Sequence, residues 1–240
     1  MILLLIAIGQ TAIVYNRIVQ DITIKYSQKL FEWDNKKANL IILGVSMADD
    51  KREVLRIAVT GHRFIDTNNE LTASIQEVVT QIIQDYPGAD YYLLSALAEG
   101  SDQIVAWAAR KHQEIKLIVP LPLPEETYLL DFHTDEGRKD FVQLLKTADQ
   151  VLTVAENRAY GSPYDRLANY LSNQCHVLIA VWNGEYSGKI GGTGEVVKKV
   201  LDAGKPVYWI YMNNLHDGAL NSLKKLKKSG EIQVLGKKPG

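Results

Sequence analysis

Between Val54 and Met212, short apolar runs alternate with longer runs of helical periodicity, and this alternation constrains the fold more than any other feature of the chain. The apolar runs, such as VLRIAVTG, IKLIVPLPL and HVLIAVWNG, contain few polar residues. The runs between them, such as ELTASIQEVVTQIIQDY, repeat apolar residues every three or four positions, as amphipathic helices do. Strands this apolar are typical of a parallel sheet covered on both faces. Because the crossovers of such sheets are right-handed, the pattern predicts an α/β, Rossmann-like doubly wound domain with a mainly parallel sheet of about six strands.

The composition limits the kinds of ligand and site. The chain carries 27 basic and 28 acidic residues, a formal net charge of -1, so no overall field attracts nucleic acid and we expect no nucleic-acid partner. An anion site must therefore be built locally. The single cysteine, Cys175, excludes an intrachain disulfide and a multi-cysteine metal site, and it precedes an apolar run that predicts a buried thiol. We expect no metal and no cofactor.

Hydropathy and charge divide the chain into four regions: 1–20, 21–52, 53–212 and 213–240. Region 1–20 is an apolar, helical segment with Arg17 as its only charge, close to the roughly 20 apolar residues that a membrane helix needs. It either spans a membrane or packs on its own domain or a partner subunit. If it spans, the lysines of the helical linker that follows predict a cytoplasmic domain attached to the inner face of the cell membrane. The basic C-terminal tail is either a solvated surface or attracted to anionic lipids.

Four clusters follow predicted strands, at the sheet edge where helix N-termini and turns meet ligands. In the first, TGHRF, Gly61 allows close backbone approach, His62 follows it, and Arg63 can clamp a phosphate with two hydrogen bonds. The alternative is a turn glycine followed by two solvated side chains. In the second, SALAEGSDQ, Gly100 and its small neighbours permit close contact. Asp102 there is either a helix N-cap or an acceptor for a ribose hydroxyl.

The third and fourth clusters precede two predicted helices. The third, ENRAYGSPYD, offers a cation and aromatic rings for a phosphate and a base, with a surface turn as the alternative. The fourth, KIGGTGEVVKK, lacks the spacing of the dinucleotide fingerprint and the lysine that closes a P-loop. Its helix is predicted to begin near Glu195, so that backbone amides face a phosphate. The residues expected to contact a ligand here are Arg158, Tyr160, Tyr164, Gly191, Gly192, Thr193 and Glu195.

Together these stretches resemble the SLOG superfamily, a Rossmann-like group that includes the LOG phosphoribohydrolases and the Smf-type DNA-processing proteins. The resemblance rests on IAVTGHR at the first strand, LLSALAEGSDQIVAWAA at the second, VLIAVWNG at the fifth and GGTGE before the last helix, and it covers nearly all of 54–212. It implies a binding site for nucleotides or nucleotide-derived molecules. By motif position that site takes in Gly61, Arg63, Gly100, Asp102, Gly191, Gly192 and Thr193.

One departure bears on catalysis. The LOG enzymes of the family that this chain resembles carry a P-G-G-x-G-T-x-x-E-E motif, whose glutamate assists cleavage of the N-glycosidic bond. In this chain, Lys198 and Lys199 stand in place of the two glutamates. The resemblance therefore favours binding over turnover. The resemblance implies a sensor for a nucleotide second messenger, such as one of the cyclic ADP-ribose kind, in a membrane-linked, homo-oligomeric bacterial anti-phage effector. The alternative is a nucleoside-monophosphate phosphoribohydrolase in which Glu195 or Glu99 supplies the carboxylate and Arg63 holds the phosphate.

Overall fold

The structure, a computed structural model, describes residues 52–159, 161–186, 188–212 and 229–236. The expected membrane segment 1–20, nearly all of the linker 21–52 and the contact residue Tyr160 lie outside these ranges. No helix within them is both long and apolar enough to cross a membrane.

Seven strands form one sheet in the described part of the chain. They are β1 (Val54–Gly61), β2 (Asp90–Leu94), β3 (Ile115–Leu121), β4 (Gln150–Thr153), β5 (Val177–Trp182), β6 (Val207–Tyr211) and β7 (Ile232–Leu235). Their order across the sheet is β4-β3-β2-β1-β5-β6-β7. All neighbours are parallel except β6 and β7, which pair antiparallel. The expected Rossmann-like, mainly parallel fold is confirmed.

Six described helices connect the strands. They are α1 (Asn69–Asp85), α2 (Ser101–Ala109), α3 (Glu125–Leu129), α4 (Asp135–Lys146), α5 (Pro163–Gln174) and α6 (Thr193–Asp202). Local signals explain their starts: the side chain of Asn68 caps α1, Thr134 caps α4, and Ser162 caps α5, which also begins with a proline. These caps place the helix N-termini at the carboxyl edge of the sheet.

Two apolar layers cover the two faces of the sheet. One contains Ile57 and Val59 of β1 together with the buried sides of α1, α2 and α4. The other contains Ala58 of β1, the inward sides of α5 and α6, and Leu178, Ala180 and Trp182 of β5. Every residue of β5 is buried, because this central strand is covered from both sides. Burial also raises the pKa of the Cys175 thiol to about 11, so that this cysteine stays protonated.

The strand order reverses between β1 and β5. From β1 the chain proceeds toward β4 with its helices on one face, and from β5 it proceeds toward β7 with α6 on the other. The loops that leave β1 and β5 therefore diverge, and a crevice opens at the carboxyl ends of the two strands.

Two details differ from the sequence predictions. The sheet has seven strands rather than about six, because β7, within the segment 213–240 that was expected to be a basic tail, adds to the edge at β6. The helix after β5 begins at Thr193, about one half-turn before Glu195, because Gly192 serves as its N-cap.

Candidate functional site

A cavity of about 970 Å³ lies at the crevice between β1 and β5. Its walls come from the segments after β1, β2, β3 and β5 and from the beginnings of α5 and α6. Among the residues expected to contact a ligand, eight line this one cavity: Gly61, His62, Arg63, Asp102, Tyr164, Gly191, Gly192 and Thr193. All four clusters identified along the sequence thus contribute cavity-lining residues, and Asp102 and Tyr164 are the ones from the second and third.

The end of β1 is fixed by close contacts with its neighbours. A Cβ on Gly61 would lie 2.5 Å from Cβ of Ser101 and 2.6 Å from the carbonyl oxygen of Val181, so only glycine fits between β5 and α2. The backbone N–H of His62 donates to the same Val181 oxygen at 3.0 Å. His62 Nε2 accepts the backbone N–H of Asn183 at 3.1 Å, which ties the two diverging loops together.

Arg63 supplies a cation to the cavity wall. Its Nη1 donates to the carbonyl oxygen of Asp131 at 3.2 Å, and its guanidinium lies 5.5 Å from the centre of the Tyr164 ring. Burial lowers its pKa, but the nearby Tyr128, Tyr164 and Asp102 outweigh that effect and leave the pKa raised. Arg63 is therefore a permanent, pre-positioned positive charge on the cavity wall.

Asp131 holds the residues around Arg63 in place. Its carboxylate accepts a hydrogen bond from Arg158 Nη2 at 2.6 Å and another from the hydroxyl of Tyr164. Burial raises the pKa of Asp131, but these two hydrogen bonds and the charge of Arg158 outweigh burial and lower it. Arg158 thus acts on the Asp131 carboxylate and is not among the residues that line the cavity. Its predicted contact with a ligand stays a prediction.

Asp102 is the buried carboxyl of the cavity. It is 7% exposed, and burial raises its pKa to about 7 even though Arg63 and the backbone N–H of Ala98 favour the ionised form. It belongs to the first turn of α2, whose N-cap is Gly100 rather than Asp102. Near neutral pH this carboxyl can both donate and accept hydrogen bonds.

Glu99 and Gly100 stabilise the backbone around the second cluster and do not contribute to the cavity wall. The carboxylate of Glu99, 6% exposed, accepts the backbone N–H groups of His133 and Thr134 at 2.9 and 2.8 Å. These bonds lower its pKa although burial alone raises it. A Cβ on Gly100 would lie 2.3 Å from the carbonyl oxygen of Arg63, and its φ is +80°. Neither residue lines the cavity.

The glycine segment before α6 is also partly engaged. The N–H of Gly191 donates to Glu195 Oε2 at 2.6 Å, and the N–H of Gly192 donates to the carbonyl oxygen of Lys189 at 3.0 Å. These two amides are therefore bonded within the protein. The first turn of α6, with Thr193 and Gly194 on the cavity wall, supplies the helix N-terminus there.

Glu195 and the two lysines after it brace α6. Glu195 forms an ion pair with Lys199 at 2.6 Å and is not among the cavity-lining residues. The hydrogen bonds from Lys199 and Gly191 lower its pKa. Lys199 reaches across to Asp165 of α5 at 3.2 Å, whereas Lys198 pairs with Asp202 on the surface at 2.5 Å.

The cavity has a second, apolar end beneath α5. Residues on one side of that helix, three or four positions apart, continue the wall inward from Tyr164. We define the apolar end by Ala96, Leu167, Ala168, Leu171, Trp182 and Val196, and the charged end by Arg63, Asp102, Asp131 and Tyr164.

Sequence reasoning did not single out Tyr128, Asp131, His133 or Trp182 as cavity-lining residues. The first three lie in the long segment after β3, and their position beyond a predicted strand was the available signal. Trp182 is the last residue of β5, on the same face of the sheet as Leu178 and Ala180, so its alternation with Val181 was the signal for it.

The chain is similar to three solved structures. With DNA processing protein A from Streptococcus pneumoniae it shares 19% identity over 65% of this chain and 50% of that one, at a TM-score of 0.46, so it spans about half the length of that protein. With the structural-genomics target TM1055 it shares 14% identity over 64% and 72% of the two chains, at a TM-score of 0.41. With the molybdenum cofactor carrier protein from Chlamydomonas reinhardtii it shares 19% identity over 69% and 81%, at a TM-score of 0.40.

No protein-family profile matches the sequence, and no curated protein is significantly similar to it. The Rossmann-like fold that the SLOG resemblance implies is the fold of this chain, as its strand order and crossovers show directly.

Proposed function

We propose that this protein binds a phosphorylated, nucleoside-derived ligand in the cavity between β1 and β5. The observation that carries the proposal is the combination, in one cavity, of a partly buried cation, a helix N-terminus and aliphatic side chains. Each feature suits one part of such a ligand, and sheets of this kind take their ligands where the strand order reverses.

The charged end suits the anionic part of the ligand. Arg63 can form two hydrogen bonds with a phosphate, and the first turn of α6 adds the partial positive charge of its N-terminus. Because Tyr164 and the Asp131 carbonyl hold the guanidinium in place, little side-chain entropy is lost when an anion binds. Asp102, with its pKa of about 7, is the group best suited to a ribose hydroxyl.

The positions of the glutamates favour binding over cleavage. The phosphoribohydrolase alternative assigned the reacting carboxylate to Glu195 or Glu99, and both are occupied by hydrogen bonds outside the cavity wall. A ligand that is held without turnover fits a sensor. We propose, more specifically, a receptor for a nucleotide second messenger of the cyclic ADP-ribose type in a membrane-linked, homo-oligomeric defence effector.

Calorimetric titration of the full chain with AMP, ADP-ribose and cyclic ADP-ribose tests the proposal. At least one of them should bind, and Arg63→Ala should weaken it about 10- to 100-fold, because a charge-assisted hydrogen bond is worth roughly 1.5–3 kcal/mol. Arg110→Ala is the matched control, since Arg110 pairs with Asp149 at 3.7 Å and does not line the cavity. Equal losses in both variants, or no binding by any of the three compounds, would refute the proposal.

The same incubation separates sensor from hydrolase. Chromatography of the AMP mixture should show no free adenine above the buffer blank. Release of adenine that disappears in Glu195→Gln would establish the phosphoribohydrolase alternative instead.

A further inference from the structure

His133 and Glu99 form a histidine–carboxylate pair at the wall of the cavity. Nδ1 of His133 lies 3.1 Å from Oε2 of Glu99, and His133 is among the residues that line the cavity. The two partners differ in accessibility, since the side chain of His133 is 58% exposed and that of Glu99 is 6% exposed. The pair therefore combines a buried carboxylate with a ring that a ligand can reach.

The carboxylate of Glu99 is ionised, because hydrogen-bond donors surround it. Besides the ring of His133, it accepts the backbone N–H groups of His133 and Thr134 and the hydroxyl of Thr134, at 2.9, 2.8 and 2.9 Å. Burial raises the pKa of Glu99, but these bonds outweigh burial and lower it. An ionised carboxylate can only accept hydrogen bonds, so the proton of the bond between the two side chains belongs to Nδ1 of His133.

Nε2, the other ring nitrogen of His133, has no hydrogen-bond partner within the described part of the chain. It can accept a hydrogen bond when the ring is neutral and donate one when the ring is protonated. The ring also packs edge-on against Phe64, with the two centroids 5.0 Å apart and the planes at 71°. Glu99 and Phe64 thus orient the ring from two sides and leave Nε2 for a ligand.

The ring of His133 lies beside the segment that carries Arg63. Phe64, which packs on the ring, directly follows Arg63 in the chain. On the other side, Nη1 of Arg63 donates at 3.2 Å to the carbonyl oxygen of Asp131, two residues before His133. All four residues line the same cavity. The imidazole and the guanidinium therefore border one space.

We propose that His133 is a second, pH-dependent contact for the phosphate of the ligand: Glu99 holds Nδ1, and Nε2 of the protonated ring donates a hydrogen bond to a phosphate oxygen. This rests on the proposed function and specifies how its anionic group is bound. An imidazolium and the guanidinium of Arg63 can bind different oxygens of one phosphate. The ionised carboxylate of Glu99 compensates the charge of the protonated ring, so that this charge does not stand unpaired beside the cavity.

Other groups around the ring are charged or titrate in the same pH range. Burial raises the pKa of Glu99 and of Asp131, but hydrogen bonds outweigh burial and lower both, so these two carboxylates stay ionised. Asp102, with a pKa of about 7, changes charge where histidines usually do, and so does a phosphate monoester such as AMP, whose second pKa is about 6. The remaining charged or titratable residues on the surrounding segments are His62, Arg63, Asp135 and Arg138.

Calorimetric titrations of the full chain with AMP, ADP-ribose and cyclic ADP-ribose, at pH 5.5 and pH 8.5, test the proposal. The quantity compared is the ratio of the dissociation constants of His133→Gln and the wild type. Protonation of the ligand and of Asp102 affects both proteins alike and cancels in this ratio. At pH 5.5 the ratio should be about 10, as expected for the loss of one charge-assisted hydrogen bond, and at pH 8.5 it should fall toward 1.

His112→Gln is the matched control. His112 also lies near a glutamate, with its Nδ1 3.9 Å from Oε1 of Glu114, but it does not line the cavity. The ratio for this variant should stay near 1 at both pH values.

A second measurement uses the wild-type protein alone. The Hε1 resonance of His133, assigned by triple-resonance methods, is followed by NMR across the pH range with and without the compound that binds most tightly. Saturation should raise the midpoint of this titration by about one pH unit, which corresponds to the tenfold ratio. Adenosine, which lacks a phosphate, should leave the midpoint in place.

The outcomes separate the two proposals. If a ligand binds in an Arg63-dependent way while the ratio for His133→Gln stays near 1 at both pH values and the midpoint does not move, the proposed role of His133 is wrong and the nucleotide site stands. A ratio that is larger at pH 8.5 than at pH 5.5 also overturns it, because the neutral ring would then be the form that binds. If none of the three compounds binds, the proposed function fails, and the role of His133 fails with it.

Discussion

The two ends of the cavity are built on different physical principles. At the charged end, every polar group has partners: Arg63 on the Asp131 carbonyl and the Tyr164 ring, and the Asp131 carboxylate between Arg158 and Tyr164. At the apolar end, aliphatic side chains surround one donor that has none, Trp182 Nε1.

The difference separates binding from support. A charge held in place by a network attracts any phosphate, because a Coulombic interaction depends little on the rest of the ligand. The aliphatic side chains of the apolar end are 1–9% exposed and pack against one another. We infer that the charged end holds the ligand and that the apolar end supports the cavity wall.

The largest expected effect concerns the buried carboxyl of the charged end. Asp102 has a folded-state pKa of about 7 against an ordinary value of 3.8. Below pH 3.8, Asp102 is protonated in both the folded and the unfolded chain. As the pH rises from there toward 7, Asp102 loses its proton in the unfolded chain but keeps it in the folded one. The free energy of unfolding should therefore fall by on the order of 4 kcal/mol from this group between pH 4 and pH 7, and then level off.

Urea unfolding of the wild type and Asp102→Asn across that pH range measures this effect. Asparagine at position 102 does not titrate, so the free energy of unfolding of this variant should decline less as the pH rises. Asp66→Asn, at an exposed aspartate, is the control and should keep the wild-type slope. Parallel slopes in all three proteins would show that Asp102 is ionised in the folded state.

The next largest effect comes from overpacking the apolar end. Ala168 is 2% exposed and packs in the core cluster between α5 and the sheet, so the larger side chain of Ala168→Leu has little free space. We expect the free energy of unfolding to fall by about 1–3 kcal/mol, which is what overpacking a core costs. Urea unfolding measures this loss.

Ala203→Leu, at an exposed alanine after α6, is the control for this substitution and should leave the free energy of unfolding unchanged. Equal stability of Ala168→Leu and Ala203→Leu would mean that the cavity beside α5 has room for the larger side chain.

The smallest effect concerns the contact between α5 and the glycine segment that precedes α6. Gly191 and Gly188 both have positive φ, +72° and +69°, but a Cβ on Gly191 would lie 2.6 Å from the backbone of Tyr164, whereas nothing lies within 4 Å of one on Gly188. Both alanine variants pay for the left-handed conformation, by about 1 kcal/mol. Gly191→Ala should lose about 1–2 kcal/mol more in thermal or urea unfolding.

Because Tyr164 also holds Arg63, Gly191→Ala should weaken AMP as well, while Gly188→Ala should not. Equal stability of the two variants would indicate that the α6 segment moves away from α5 without cost.

The sequence was sufficient for the fold and for part of the site. Apolar runs alternating with amphipathic ones specified a parallel sheet, and the glycine and arginine of TGHRF were placed correctly at the edge of β1. These predictions succeeded because the period of a strand or helix and the carboxyl-edge rule depend only on local sequence and connectivity.

Several details of the site could not be obtained in this way. Glu99 and Glu195 are carboxylates in or beside glycine-rich loops, as ligand-binding groups often are. In the structure, however, Glu99 accepts backbone N–H groups from a segment more than 30 residues away. Glu195 accepts the backbone N–H of the residue four positions before it. Whether a carboxylate faces a ligand or the backbone depends on which donors the fold brings within 3 Å.

By itself, the sequence determined the α/β architecture, the order of its elements and the edge of the sheet where polar residues gather. Only the tertiary structure decided which of those residues share the cavity, that Asp131 and Tyr164 fix Arg63, and that Trp182 is left without a partner. The physical reason is that periodicity is a property of neighbouring residues, whereas burial and hydrogen-bond satisfaction depend on groups that are distant in the chain and meet only when it folds.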